Sequence, residues 1–365
     1  MSHRSLSFRP DGRISRRALL LSVPAVAAAR QLGAQGGAKP QLRVRALNHF
    51  TLAVSDPKRS LEFYQRLFGT PIQAHQGAIP ILRVGSGPQF IGLSPAGSGM
   101  PSISHLCLTV DGFDVDRVIR VLAAHGITKA EATGGGLTGG PMKVRVRMRG
   151  PESGGAPGGT PELYFADADG IVVQLQDPTY CGGSGALGNV CPSLEPPPTR
   201  GLIAVKDISH FTVFVSDGAR SNKFYQDLFG FGIRSFQGPT APTMAVGPGV
   251  GFLMFAGGAP AGRAGAPAAP PRPASINHVC LSMEKFNVAE VQKALESVGI
   301  KPRDSQTGPV PPMRHYVTMR MENRGGAKDG TPELYFTDPD GILVQIQDVS
   351  YCGGAGYLGN ECPKT

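Results

Sequence analysis

From Leu47 to Asp56 the chain reads Leu-Asn-His-Phe-Thr-Leu-Ala-Val-Ser-Asp, an apolar-rich strand pattern. The period then changes. Over residues 56–68, Leu61, Tyr64, Leu67 and Phe68 fall at the three- and four-residue spacing of a helix with one apolar face. Short strands are predicted at 79–84 and 89–93. The order starts again at Ser104-His105-Leu106-Cys107-Leu108. It runs through a helix over 114–125, carried by Val115, Val118, Ile119, Leu122 and Ala123, into strands at 143–148, 162–165 and 171–176. Each unit is a strand, a helix and three strands.

The whole block then recurs. Ile208-Ser209-His210-Phe211-Thr212-Val213-Phe214-Val215-Ser216-Asp217 repeats the first strand. Phe224-Tyr225-Gln226-Asp227-Leu228-Phe229-Gly230 repeats Phe63-Tyr64-Gln65-Arg66-Leu67-Phe68-Gly69, Asn277-His278-Val279-Cys280-Leu281 echoes His210, and 331–362 repeats 160–191. The chain is a tandem duplication of an α+β domain, four βαβββ modules in all. The predicted boundaries are a leader at 1–40, a first domain at 41–191, a Pro-rich linker at 192–200 stiffened by Pro196-Pro197-Pro198, and a second domain at 201–365.

Composition narrows the function classes. The chain has 365 residues, and its 41% hydrophobic content excludes wholesale disorder, while Gly 50 and Pro 33 imply many turns and loops. The formal charge is +9, but residues 1–40 hold seven of the basic residues and one of the acidic ones, leaving a net of +3 elsewhere. Without a basic stripe, nucleic acid is not an expected partner. In the leader, Ser15-Arg16-Arg17-Ala18-Leu19-Leu20 opens an apolar run at 18–29, too short for the ~20 residues that span a bilayer. Small residues follow at 27–29 and 32–34. This resembles a twin-arginine signal peptide and predicts a periplasmic or secreted bacterial protein with no stable membrane insertion after processing. A Sec signal and an uncleaved anchor are the alternatives. Export bears on the cysteines. Cys181 and Cys191 flank a Gly-rich loop, as do Cys352 and Cys362, and outside the cytoplasm each pair reads as a local disulfide. A metal pair is the rival reading, with no His or further Cys beside either. Cys107 and Cys280 share a strand face with the neighbouring His and read as core thiols.

The motifs His-Phe-Thr-Leu-Ala-Val-Ser-Asp, Phe-Tyr-Gln-x-Leu-Phe-Gly and Tyr335-Phe336-Thr337-Asp338-Pro339-Asp340-Gly341 resemble the vicinal-oxygen-chelate superfamily. That superfamily holds glyoxalase I, extradiol dioxygenases, and fosfomycin- and bleomycin-resistance proteins. The resemblance covers nearly all of 45–350 and implies two tandem half-barrel domains, each with a ligand cavity. It places metal ligands at His49, His105 and Gln174 in the first domain and at His210, His278 and Gln345 in the second. The implied cofactor is a divalent metal, Fe, Mn, Zn or Ni, with a degenerate, metal-free site of core histidines as the alternative. The family usually has Glu where Gln174 and Gln345 stand, and Gln offers only a neutral carbonyl oxygen. The remaining position falls near Gly92 and Met254, neither of which binds a hard metal. Leu334-Tyr335 through Gln345 also resembles the extradiol signature Leu-Tyr-x-x-Asp-Pro-x-Gly-x-x-x-Glu except at its last letter, and Leu163-Tyr164 through Gln174 follows it with Ala168 for Pro. The signature's upstream His is missing; Lys328 is among the residues there. Tyr164 and Tyr335 are thereby implied to hydrogen-bond a bound substrate oxygen, with barrel packing as the alternative.

Other positions stay open. Glu162 and Glu333 lie two residues before those tyrosines and so point the same way, as a base, a substitute ligand or a strand-end surface acid. Arg149 and Arg320 align and read as solvated strand ends or as partners of an acidic substrate. His315 aligns with Val144, and residues 257–274 form a Gly/Ala/Pro loop expected to be mobile. Three functions are compatible. The first is an exported metalloenzyme acting on a small oxygen-chelating substrate, by extradiol-type dioxygenation or a glyoxalase-like lyase or isomerase step. The others are a non-catalytic binding protein of the bleomycin-resistance kind and a structural module. Oligomeric state is not legible.

Overall fold

The computed structural model describes residues 42–133, 135–257 and 273–363. The leader and most of the predicted mobile loop lie outside these. The described residues all lie in one compact unit.

The first copy runs β1 (Val44–Val54), α1 (Pro57–Phe68), β2 (Ile72–Gln76), β3 (Ile79–Arg83) and β4 (Phe90–Pro95). Its second module follows with β5 (Ser102–Val110), α2 (Val115–Ala124), β6 (Thr128–Lys129), β7 (Lys143–Arg149), β8 (Thr160–Ala166) and β9 (Val172–Gln176). The second copy repeats the order as β10 (Val205–Val215), α3 (Gly218–Phe229), β11 (Ile233–Phe236), β12 (Pro242–Ala245) and β13 (Phe252–Gly257). It closes with β14 (Ser275–Met283), α4 (Val288–Ser297), β15 (Lys301–Pro302), β16 (Arg314–Arg320), β17 (Thr331–Thr337) and β18 (Leu343–Asp348). Each copy makes one nine-stranded mixed sheet, ordered β2-β3-β4-β1-β5-β9-β8-β7-β6 in the first and equivalently in the second. The two modules of a copy join through the antiparallel pair β1 and β5, or β10 and β14. The second module of each copy carries a two-residue strand beyond the expected three, with both residues exposed.

Local chemistry sets the helix ends. Asp56 accepts from the backbone N–H of Lys58 and Arg59, and Gly69 ends α1 in the left-handed region. Asp217 and Gly230 do the same for α3. Such an N-cap contributes about 1 kcal/mol.

Strand alternation divides the chemistry. Phe50, Leu52, Leu106, Leu108, Leu163, Phe165, Val173 and Leu175 join the helices in one hydrophobic core shared by both copies. His49, His105, Glu162, Tyr164 and Gln174 take the intervening positions and face the inside of the half-barrel.

The copies dock reciprocally. Tyr64 on α1 donates to Asp338 of the second copy at 3.0 Å, and Tyr225 on α3 donates to Asp167 of the first at 3.2 Å. The same turns pair Arg59 with Asp340 and Arg220 with Asp169. Phe50 and Phe211 also meet edge to face across the two copies. The linker is not free either: Glu195 exchanges backbone hydrogen bonds with Ile72, covering the outer edge of β2.

Candidate functional site

Both histidines of a copy sit beside a β-bulge. In the β1–β5 ladder Leu47 pairs with Leu108 and His49 with Cys107, so Asn48 is the extra residue. Thr51 pairs with His105 and Leu52 with Ile103, which makes Ser104 the extra residue on β5. Ser209 and Asn277 are the extra residues of the second copy. A bulge breaks the two-residue alternation. Each polar neighbour therefore reaches the ring of the His that follows. Nδ1 of His49 lies 2.7 Å from Asn48 Oδ1, and Nδ1 of His105 lies 2.9 Å from Ser104 Oγ. His278 meets Asn277 at 2.8 Å and His210 meets Ser209 at 3.2 Å. Fixing Nδ1 in this way aims Nε2 at the cavity.

There the predicted sets come together. Nε2 of His49 stands 3.0 Å from Gln174 Oε1, and Nε2 of His210 stands 3.1 Å from Gln345 Oε1. The rings of His49 and His105 lie 5.6 Å apart, as do those of His210 and His278. Tyr164 meets the His105 ring and Tyr335 the His278 ring, each edge to face at 5.3 Å. Gly92 pairs with Thr51, whose hydroxyl would lie 2.7 Å from any Cβ placed there, so no side chain fits beside the cluster from that strand.

All four histidines are neutral at physiological pH. Burial first, then the neighbouring His105, holds His49 well below its usual value, against the Gln174 contact. Burial and His278 do the same to His210. Burial brings His105 and His278 down to about 4. Buried neutral imidazoles offer their lone pairs without proton competition.

The donor set fits a cation. Asn48 Nδ2 donates to the Tyr180 carbonyl, so Asn48 Oδ1 faces His49 and Nδ1 carries the proton. Nε2 of His49 and Oε1 of Gln174 are then two lone-pair donors. Donors about 2.0–2.2 Å from a common ion at right angles stand about 3 Å apart, as these do. His105 Nε2 and His278 Nε2 are buried without a hydrogen-bond partner. Among the described residues no three His, Cys, Asp or Glu side chains gather as metal donors; the third donor of each cluster is an amide.

Glu162 and Glu333 are not surface acids. They are only 2% and 4% exposed, and Arg149 and Arg320, expected at solvated strand ends, are as deeply buried beside them. Arg149 Nε donates to Glu162 at 2.6 Å and Arg320 Nε to Glu333 at 2.7 Å. Tyr164 and Tyr180 both donate to Glu162, at 3.2 and 2.9 Å, and Tyr335 and Tyr351 repeat this at Glu333. The carboxylates are therefore spent on this network and do not ligate. Burial, then the adjacent Glu, keeps all four tyrosines protonated well above their ordinary value. Cys107 and Cys280 are free and buried, as expected for core thiols. His315 points away from the cavity, toward Glu296 on α4.

The sequence reading missed Tyr180 and Tyr351. Their rings lie 5.6 and 5.5 Å from His49 and His210, beside Phe90 and Phe252, which stack on the same imidazoles and lie 6.0 and 6.1 Å from the tyrosines. Each Tyr precedes a cystine loop. Cys181 is bonded to Cys191 and Cys352 to Cys362, with Cα separations of 6.4 and 6.3 Å. The loop carbonyls of Gly183 and Gly182 accept from Arg149 and Gln76, tying the clip to the cavity wall. Gly188 is required, because a Cβ would enter the Tyr180 ring at 2.4 Å.

Residues 46–175 and 207–346 both match the Glyoxalase/Bleomycin resistance protein/Dioxygenase superfamily. The chain belongs to this superfamily. Among solved structures it is similar to the Mn(II)-bound glyoxalase from Novosphingobium aromaticivorans, at 17% identity and a TM-score of 0.55, covering 84% of this chain and 82% of that one. A mutant of homoprotocatechuate 2,3-dioxygenase from Brevibacterium fuscum matches at 17% and 0.56, over 85% and 73%. The 2,2',3-trihydroxybiphenyl 1,2-dioxygenase from Sphingomonas wittichii matches at 17% and 0.50, over 86% and 91%. These likenesses establish the fold. No curated protein matches this superfamily member.

Proposed function

We propose that this superfamily member is an exported divalent-metal protein acting on a small molecule with adjacent oxygen atoms, in an extradiol-dioxygenase-like or glyoxalase-like lyase or isomerase step. The observation that supports it most is the pair of neutral, buried imidazoles converging with one amide oxygen, present in both copies. His49, His105 and Gln174 would hold the ion in the first copy, and His210, His278 and Gln345 in the second. A divalent ion held there would supply Lewis-acid polarisation to a bound substrate. The chain's own residues do the rest. Phe90 covers one face of His49 and excludes water from it. Tyr164 keeps its proton and donates it in a hydrogen bond to Glu162, which leaves its oxygen lone pairs to orient a substrate hydroxyl. Arg149 holds Glu162 in place. Two cystine loops support an oxidising location, and no helix among the described residues is long and apolar enough to cross a membrane.

Elemental analysis of protein exported by a bacterium with a twin-arginine pathway tests this. His105→Ala and His278→Ala should each remove the metal of one copy only, and Gln174→Glu should tighten retention by adding a charge to the donors. A second reading, metal-free ligand binding, is favoured by the amide itself: turned over, its N–H donates to His49 Nε2 and closes the cluster without an ion. Absence of metal with unaltered binding in both His variants would establish that reading instead.

A further inference from the structure

The two copies repeat the His, His and Gln cluster with its Tyr, Glu and Arg partners, yet they differ at the strand opposite the repeated glutamates. Arg145, Arg147 and Arg149 of β7 correspond to Tyr316, Thr318 and Arg320 of β16. Arg147 lies in register with Glu162 and lines a cavity of about 110 Å³ together with His49, His105, Tyr164 and Gln174. Arg149 is committed to Glu162 and the Gly183 carbonyl. Arg147 is exposed and forms no ion pair among the described residues, so its charge is available to whatever enters. Into the same cavity project two buried nitrogens without partners, His105 Nε2 and Gln174 Nε2.

The second copy spends these positions differently. Thr318 lies opposite Glu333 and donates to it at 3.5 Å. Tyr316 stacks on Tyr335 at 5.2 Å. The nearby cation Arg303 is itself engaged, lying over the Tyr316 ring at 5.2 Å and donating to the Gly308 carbonyl at 2.6 Å. Tyr316, Arg303 and Gly308 border a cleft of about 680 Å³ with Phe214, Ile276 and Leu343.

Resting on the metal-centre reading, we propose that Arg147 makes the first copy selective for substrates that carry a carboxylate beside their adjacent oxygens. The second copy, with Thr318 there, lacks this selectivity. Arg147 and Gln174 are two strands and two residues of register apart, ~12 Å along the sheet, a span that an arginine side chain and a ring-sized ligand bridge together.

The test uses the full chain loaded with Mn(II), with one copy silenced by His278→Ala or His105→Ala. Titration calorimetry compares 3,4-dihydroxybenzoate with catechol, which share the vicinal oxygens and differ in the carboxylate. In the first copy the carboxylate should tighten binding about tenfold, the lower end for a charge-assisted contact. Arg147→Thr should abolish the difference, Arg147→Lys should keep most of it, and Thr318→Arg should create it in the second copy. Mn(II) retention with an unchanged ratio in Arg147→Thr would overturn this proposal alone. Failure of the chain to hold Mn(II) in either copy would overturn the metal-centre reading, and the selectivity with it.

Discussion

The two aspartates at the seam between the copies should make stability fall as pH rises, the reverse of ordinary carboxylate behaviour. Asp167 and Asp338 are buried at 2% and 0% exposure. Burial raises each from 3.8 to about 6, against the backbone N–H groups and the tyrosine hydroxyl that favour the charged form. The sign follows from proton counting. Below about pH 4 both folded and unfolded chains hold the proton and nothing is lost. Between about 4 and 6 the unfolded chain releases it while the folded chain keeps it, so unfolding gains steadily. Above about 6 both are ionised and the cost stays constant. At ~1.4 kcal/mol per pH unit this is roughly 3 kcal/mol for each site. The variant Asp167→Asn/Asp338→Asn removes the titration while keeping the shape. Its Oδ1 still accepts from the two backbone N–H groups of each turn, and its Nδ2 donates to a tyrosine oxygen that turns to accept. Urea unfolding of both proteins at pH 4, 5, 6 and 7 gives the comparison, in which groups common to the two, such as the buried histidines, cancel. The variant should gain on the parent by several kcal/mol between pH 4 and 7, most of it below pH 6. A difference that is flat with pH, or that favours the parent as pH rises, would refute the reasoning.

The buried Arg–Glu pairs and the cystine clips give two further expectations. Arg149→Met should cost about 3–5 kcal/mol in denaturant unfolding, because it strands Glu162 without its cation, whereas Arg149→Met/Glu162→Gln should recover much of that loss. If the double variant is no better than the single, the carboxylate is not what the arginine serves. Thiol titration of denatured exported protein should find two free cysteines, Cys107 and Cys280. Opening one clip by Cys181→Ser/Cys191→Ser should cost about 2.7 kcal/mol for a loop of ~10 residues in the chain-entropy model, and finding all six thiols reduced would contradict the structure.

The fold was legible because each of its devices is local. The switch from strand to helical period at Asp56, its fourfold return along the chain, and the capping Asp and terminal Gly shared by α1 and α3 are properties of short segments. The two-residue strands β6 and β15 escaped because exposed residues leave no apolar pattern. At the site, the His and Gln positions could be read by strand and motif, and the structure gathers them. What could not be read is what depends on a partner distant in sequence. Glu162 looks like a surface acid until β7 supplies Arg149 from the next strand. Tyr180 looks like a loop residue until the clip folds it onto His49. The bulges were half visible, in the Asn or Ser before every one of the four histidines, but an extra residue in a ladder shows only once both strands are paired.

The exchange of turns between the copies has a consequence for how such a chain can change. Asp338 meets Tyr64 where Asp167 meets Tyr225. Contacts that recur when the partners are swapped are those of an isologous twofold dimer. A half-length chain with this turn and this helix would close on a second identical subunit through the same surfaces. In such a dimer every substitution is felt twice, so neither pocket can alter alone. Joining the halves in one polypeptide keeps the interface and lifts that symmetry constraint. The two cavities can then drift apart at positions such as 147 and 318 while sharing one core, so that a single chain can carry two different specificities.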